Sequence, residues 1–161
     1  PSAELCELAR KVVERVRHEP GLLGYYIADE PEIHNVRSEC LAAYYQVIRK
    51  LDPFHPVFVT NDTIDGIVSH GYKCADVLSP DPYSIQLDYM PSFLKKVREV
   101  AQPGQAWWVT PWHSASDTHF KRPMGSARPY PYQIFRNQML GAFAYGSRGF
   151  TGYTSAFFLP E

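Results

Sequence analysis

Five short β-prone runs alternate with helix-like runs along the 161-residue chain. The runs are apolar almost throughout, which is typical of strands that pair in parallel and are covered by helices. The predicted strands are residues 22–28, 56–60, 77–79, 106–110 and 149–154. The alternation therefore predicts an α/β fold built on a parallel sheet.

Helical patterns lie before, between and after these strands. Residues 2–18 repeat apolar side chains at helical spacing, and Ser2 is a plausible N-cap. Pro91 fits the first turn of a later helix. The remaining helical patterns are residues 36–51, a short turn at 63–69, and residues 131–145. Each predicted helix is followed by a proline or glycine that favours its end.

Two architectures fit this pattern. One is a five-stranded doubly wound sheet of the flavodoxin type, with a strand order that begins 2-1-3. The other is an incomplete (β/α)8 barrel, because the sequence opens on a helix as though the preceding strand were missing. No GxGxxG or GxxxxGK[ST] motif follows any predicted strand, which argues against a dinucleotide or P-loop site.

Composition excludes several classes of partner. The net charge is −1 and the pI is about 6.7, so no basic surface for nucleic acid or anionic membrane is expected. No apolar run approaches the roughly 18 residues of a membrane span. The three cysteines lack metal-ligand spacing, and we predict no cofactor and no metal site. The compartment is not fixed, with a secreted or extracellular location left open.

The first predicted strand ends abruptly in Asp29, Glu30 and Pro31. Burying an unpaired carboxylate is costly, so both acids must lie where the strand emerges, at a rim or in a pocket. In parallel α/β sheets, sites are built at the carboxyl ends of the strands. The pair is therefore the first candidate for a functional site.

Polar and aromatic side chains also follow the other strands. Carboxylates and amides bind hydroxyl groups, and aromatic rings pack against the apolar face of a pyranose, so this mixture favours a carbohydrate ligand. A turn-forming role is equally open for Asn61 and Asp81. The candidate substrate-binding residues are Tyr26, Asn61, Asp81, Tyr83, Trp112, His113 and Tyr153.

Two segments resemble glycoside hydrolases of the (β/α)8-barrel type. Segment 25–31 (YYIADEP) is similar to the strand-four ending that carries the acid/base glutamate. Segment 128–150 is similar to the part of such barrels that runs from helix seven to strand eight. The resemblance implies that residues 1–161 form a single partial barrel domain, from helix three to strand eight. Because five strands cannot close an eight-stranded barrel, we expect the missing N-terminal part, or another chain, as a partner.

The resemblance implies that Glu30 is the general acid/base, with Asp29 assisting. It also exposes a departure, since strand seven of the common retaining barrels ends in a nucleophilic glutamate. Here residues 107–110 are followed by no carboxylate until Asp117. Asp81 or Asp117 could supply the second carboxyl group, or the substrate's N-acetyl group could act as the nucleophile. The alternative function is a catalytically degenerate barrel that binds carbohydrate or serves as a scaffold.

Overall fold

All five strands belong to one parallel sheet in the computed structural model, which describes residues 3–82, 89–111 and 132–151. The strands lie in the order of the sequence, each hydrogen-bonded to the next. They are β1 (Tyr25–Ala28), β2 (Val57–Asn61), β3 (Val77–Pro80), β4 (Ala106–Val109) and β5 (Gly149–Phe150).

Helices precede β1 and connect the strands. A short connection between β2 and β3 contains a π-helical turn, Ile67–Gly71, between two single-turn helices. The helices are α1 (Ala3–Val16), α2 (Ser38–Leu51), α3 (Ile64–Gly66), α4 (Tyr72–Cys74), α5 (Tyr89–Val100) and α6 (Tyr132–Ala144). None of the helices in the described ranges has the length and apolar character needed to cross a membrane.

The strand order distinguishes the two predicted architectures. A flavodoxin-like sheet begins 2-1-3, whereas this sheet runs β1-β2-β3-β4-β5. Parallel strands in sequential order, alternating with helices, are consistent with part of a (β/α)8 barrel. The predicted α/β fold is thus confirmed and the doubly wound alternative is wrong. The assignment of residues 1–161 to one partial domain stays a prediction.

The element boundaries differ from the predicted ones by a few residues. β1 begins at Tyr25 because the first inter-strand hydrogen bond at this end runs from the Tyr25 N–H to the Pro56 carbonyl, at 2.9 Å. α2 begins at Ser38, two residues after the predicted start. Pro91 lies in the first turn of α5, as predicted. Ser2 and the last residues of the predicted fifth strand lie outside the described ranges.

One face of the sheet packs against the helices. Val59, Leu78 and Val109 point to this face and are at most 1% exposed. They contact apolar residues of the helices, of which Leu41, Phe93, Leu94, Val97 and Ala142 are buried. A second cluster joins α1 and α2 to the beginning of the sheet through Val13, Tyr25, Ile48 and Val57. These contacts orient the strands and so fix where their carboxyl ends meet.

The opposite face of the sheet carries aromatic rings and then hydroxyl groups. The Phe58 ring lies 5.4 Å from the Tyr26 ring and 5.7 Å from the Trp108 ring, measured between centroids. Nearer the carboxyl ends, the Ser79 hydroxyl lies 2.9 Å from that of Thr110 and 3.0 Å from that of Thr151. Because side chains alternate along a strand, this face is separate from the helix-covered core.

The β1 end of the sheet carries exposed apolar surface. β1 is the first strand of the sheet, and Leu5, Leu8 and Val12 of α1 are 47%, 56% and 49% exposed. A groove of about 420 Å³ runs between α1, α2 and β1. The prediction that a missing part of the barrel, or another chain, covers this edge stays a prediction.

A buried polar cluster at the amino ends of the strands centres on Asp52, directly after α2. Its carboxylate accepts a 2.7 Å hydrogen bond from the Tyr25 hydroxyl and lies 2.7 Å from Nδ1 of His55. The backbone N–H groups of Phe54 and His55 also donate to it. Burial alone would raise the pKa of Asp52, but these hydrogen bonds outweigh burial and lower the pKa to about 2.

We expect Tyr25→Phe to lower the free energy of unfolding by about 1–2 kcal/mol at neutral pH, because Asp52 loses a buried hydrogen bond. A carboxyl whose pKa is lower in the folded state stabilises the protein above its ordinary pKa of 3.8, and this stabilisation is lost as the pH falls toward 2. The difference between the variant and the wild type should therefore shrink in acid. Urea denaturation at pH 7 and pH 2.5 measures it, and an equal loss at both pH values would contradict the assignment.

Candidate active site

A β-bulge near the end of β1 determines where Asp29 points. Tyr26 lies opposite Phe58, but Ala28 lies opposite Val59, so two residues of β1 span one step of β2. The extra residue shifts the alternation of side chains by one position. Asp29 therefore shares the aromatic face with Tyr26, whose hydroxyl donates a 2.5 Å hydrogen bond to the Asp29 carboxylate. Burial and this hydrogen bond raise the pKa of Tyr26.

Glu30 occupies an unusual backbone conformation. Its φ angle is +39°, in the left-handed region that non-glycine residues rarely adopt. Three backbone hydrogen bonds hold it: its N–H donates to the Thr60 carbonyl at 3.0 Å, and its carbonyl accepts from the N–H groups of Ile33 and His34. Left-handed residues cost free energy and persist only where their surroundings hold them. The chain thus turns sharply at Glu30, directly after the strand.

Three acids gather where β1, β2 and β3 end. One carboxylate oxygen from each of Glu30, Asp62 and Asp81 lies within 4.8 Å of the other two. Asp81 is only 1% exposed, and Glu30, which is half-buried, is hydrogen-bonded to it. The Oδ1 atom of Asp81 has no hydrogen-bond partner within the part of the chain that the structure describes. The result is a close carboxyl pair with a third acid beside it.

The Glu30–Asp81 pair retains a proton at neutral pH. Burial raises the pKa of Asp81 well above its ordinary range, and the hydrogen bond to Glu30 raises it further. The negative charges of Glu30, Asp62 and Asp29 act in the same direction. Protonated Asp81 can then donate its hydrogen bond to the Glu30 carboxyl group. Two carboxyl groups that share a proton in this way are suited to proton transfer.

The same three oxygens are close enough together for a hard cation such as Ca²⁺ or Mg²⁺ to bridge them. The proton held by the pair already reduces the repulsion between the acids. Proximity of acids alone does not define a metal site, and we assign no metal to this one.

A groove of about 470 Å³ lies on the aromatic face beside these acids. Asp29 is exposed at its wall and connects the groove to Glu30, the next residue in the sequence. The groove thus combines aromatic rings, hydroxyl groups and one carboxylate, a lining that suits a polyol. Its described lining consists of Leu23, Tyr26, Asp29, Phe58, Thr60, Thr110, Phe150 and Thr151.

The structure brings only some of the sequence-predicted site residues together. Tyr26 and Asp29 line the groove, and Glu30 lies in the acidic cluster. Asn61 is fully buried and donates its amide to Glu32 at 2.9 Å, and its direct contact with a substrate stays a prediction. Asp81 is likewise buried and lies beside Glu30, and its contact with a substrate also stays a prediction. The remaining candidates, Tyr83, Trp112, His113, Tyr153 and Asp117, lie outside the described residues.

Two groups at the site were missed from the sequence. The Glu32 carboxylate accepts hydrogen bonds from Asn61 and Thr63, and it lies in the turn beyond the strand end to which the prediction was confined. The Thr110 hydroxyl, which lies 2.6 Å from that of Thr151, was also overlooked. Hydroxyl residues near the ends of neighbouring strands were the signal that could have revealed the second group.

No protein-family model and no curated protein matches the chain. Among solved structures, the chain is similar to the crystal structure of a "putative alpha-L-fucosidase" from Bacteroides thetaiotaomicron VPI-5482, with a TM-score of 0.67 and 11% sequence identity. The similarity covers 91% of this chain and 51% of that chain, so this chain spans about half the length of the structure it matches. The match supports a glycoside hydrolase-like α/β fold.

Asp81→Asn tests the buried proton. Because the folded state raises the pKa of Asp81 above the ordinary 3.8, burying this group costs more as the pH rises above about 4. Asparagine does not titrate, so the variant lacks this pH dependence. For one proton, the dependence amounts to at most about 1.4 kcal/mol in the free energy of unfolding per pH unit. We expect the free energy of unfolding of the variant to fall less steeply, or rise more steeply, than that of the wild type between pH 4 and pH 8.

Urea denaturation at several pH values provides the measurement. Asp65→Asn, at an exposed acid of α3, is the matched control and should leave the wild-type slope unchanged. Parallel slopes for Asp81→Asn and the wild type would contradict a buried proton on Asp81.

Proposed function

We propose that this domain hydrolyses glycosidic bonds, with Glu30 as the general acid/base and Asp29 assisting. The observation that carries the proposal is the hydrogen-bonded Glu30–Asp81 carboxyl pair, which lies at the carboxyl ends of the strands beside an aromatic groove. The structural similarity to a protein described as a fucosidase supports the same class of reaction.

The carboxyl pair supplies the proton that the reaction needs. Cleavage of a glycosidic bond requires an acid to protonate the departing oxygen, and the same group then removes a proton from water in a retaining mechanism. Asp81 is too deeply buried to contact a sugar, whereas Glu30 is half-buried. Glu30 therefore contacts the substrate, and Asp81 holds the proton that Glu30 passes on.

Asp29 supplies a second carboxyl function on the groove side. Carboxyl groups that act on opposite faces of a sugar are about 5–5.5 Å or more apart. The hydrogen-bonded Glu30–Asp81 pair leaves no space for a sugar between its two groups, so Asp81 does not act as the nucleophile. Asp29 faces the groove and is oriented by the Tyr26 hydroxyl. It can stabilise positive charge at the anomeric carbon or orient a substrate N-acetyl group.

A second candidate function is carbohydrate binding without cleavage. The observation that favours it is the end of β4, which corresponds to strand seven in the proposed barrel alignment. There Thr110, not a carboxylate, follows the strand, and its hydroxyl lies close to those of Ser79 and Thr151. A groove without a nucleophile on this strand can still bind a sugar through its rings and hydroxyl groups.

Glu30→Gln separates the two functions. In the full-length protein, we expect this variant to lose about 10²- to 10⁴-fold in kcat on a panel of aryl glycosides that includes an α-L-fucoside. Asp65→Asn is the matched control and should retain wild-type turnover. Undiminished hydrolysis by Glu30→Gln would reject the acid/base role. Calorimetric binding of glycans without cleavage of any member of the panel would favour the second candidate.

The pH profile tests the contribution of Asp81. Activity requires the Glu30–Asp81 pair to hold a proton, so kcat/KM should fall on the alkaline side when the proton is lost. Because the burial of Asp81 helps to hold that proton, Asp81→Asn should move the alkaline limb to lower pH. Initial rates between pH 4 and pH 10 measure the shift, and an unmoved alkaline limb would count against proton storage at Asp81.

A further inference from the structure

We propose that Glu32 is a positioning residue, whose carboxylate ties the turn after β1 to the turn after β2 and so holds Glu30 beside Asp62 and Asp81. The inference deepens the proposed function, on which its catalytic meaning rests. The tie itself is a property of the folded chain and can be tested without a substrate.

The contacts of Glu32 connect two separate loops. Its Oε2 atom accepts a 2.9 Å hydrogen bond from the Asn61 amide. Its Oε1 atom accepts from the N–H of Thr63 at 3.2 Å and from the Thr63 hydroxyl at 3.3 Å. Asn61 and Thr63 are the two neighbours of Asp62 in the sequence. One carboxylate therefore binds the residues on both sides of an acid of the cluster, through the Asn61 side chain and through the backbone and side chain of Thr63.

The absence of a side chain at Gly66 leaves space for the Glu32 carboxylate. Gly66 has an ordinary right-handed helical conformation, with φ −60° and ψ −45°, so its backbone does not require glycine. A Cβ atom at this position would overlap the Glu32 carboxylate. The N–H of Gly66 also donates to the Thr63 hydroxyl at 2.9 Å. Glu32, Thr63 and Gly66 thus form one interlocked unit.

The other end of the tie is the turn that carries Glu30. The carbonyl of Glu30 accepts from the N–H groups of Ile33 and His34, so Glu32 lies inside a closed turn. Glu30 itself is held in the left-handed region. A strained residue of this kind relaxes when its surroundings loosen. Releasing Glu32 should let the turn relax and carry the Glu30 carboxyl away from Asp81.

The experiment follows the Asp81 carboxyl by ¹³C NMR in full-length protein labelled at aspartate side chains. Glu30 and Asp62 lie beside Asp81, the charge of Asp29 also acts on it from the groove side, and all three raise its pKa. In Glu32→Ala, the departure of Glu30 should lower the midpoint of the Asp81 titration by one pH unit or more. An unchanged midpoint in Glu32→Ala would overturn the proposal, even if the variant were less stable.

Two comparison variants separate positioning from simple loss of stability. Glu32→Gln should preserve the wild-type midpoint, because the glutamine oxygen can accept from Thr63. Its NH2 group can donate to Oδ1 of Asn61 once the Asn61 amide, which now presents Nδ2 to Glu32, rotates by 180°. Glu99→Ala is the matched control for removing a glutamate, since Glu99 on α5 is 60% exposed. A shifted midpoint in Glu99→Ala would show that the effect is not specific to the tie.

Gly66→Ala tests the same tie without altering Glu32. Alanine is the better helix former, so without the tie this substitution should be neutral or stabilising. With the tie, the new methyl group displaces the Glu32 carboxylate, and the Asp81 midpoint should fall as in Glu32→Ala. A wild-type midpoint in Gly66→Ala would contradict the proposal, and this variant also serves if Glu32→Ala does not fold. Because no substrate is used, an absence of glycosidase activity would reject the proposed function and leave this result standing.

Discussion

The hydrogen bond between the Glu30 and Asp81 carboxyl groups is the interaction on which the site depends. It exists because the sheet is parallel and sequentially ordered, so that the ends of β1, β2 and β3 meet at one edge. Two adjacent carboxylates at neutral pH would repel each other, and burial of Asp81 would make that repulsion more costly. One proton retained between the two carboxyl groups reduces this repulsion. It also allows the pair to take part in proton transfer.

The sequence predicted the fold better than the details of the site. Alternating apolar strands and amphipathic helices indicated the parallel sheet, and the acids after the first strand indicated its functional edge. The burial of Asn61 against Glu32 could not be predicted, because position after a strand does not reveal which way a side chain points. The tie made by Glu32 depends on contacts about thirty positions away in the sequence. Local patterns carry no information about such pairs, whereas strand and helix periodicity is local by nature.

The two faces of the sheet carry different kinds of side chain. The helix-covered face is made of apolar side chains that exclude water and pack against the helices. The other face progresses from the rings of Tyr26, Phe58 and Trp108 to the hydroxyl groups of Thr110 and Thr151. The polarity of this face therefore rises toward the edge that carries the acids. The hydroxyl groups there form hydrogen bonds with one another, which buried polar groups require.

The bulge in β1 explains why the neighbouring acids Asp29 and Glu30 have different surroundings. A single additional backbone step turns Asp29 toward the open groove and leaves Glu30 beside the buried Asp81 and the half-buried Asp62. Two residues that are nearly identical in chemistry thus experience different solvation because of chain geometry, not composition. Removal of one residue from this strand would restore the regular alternation and turn Asp29 away from the groove.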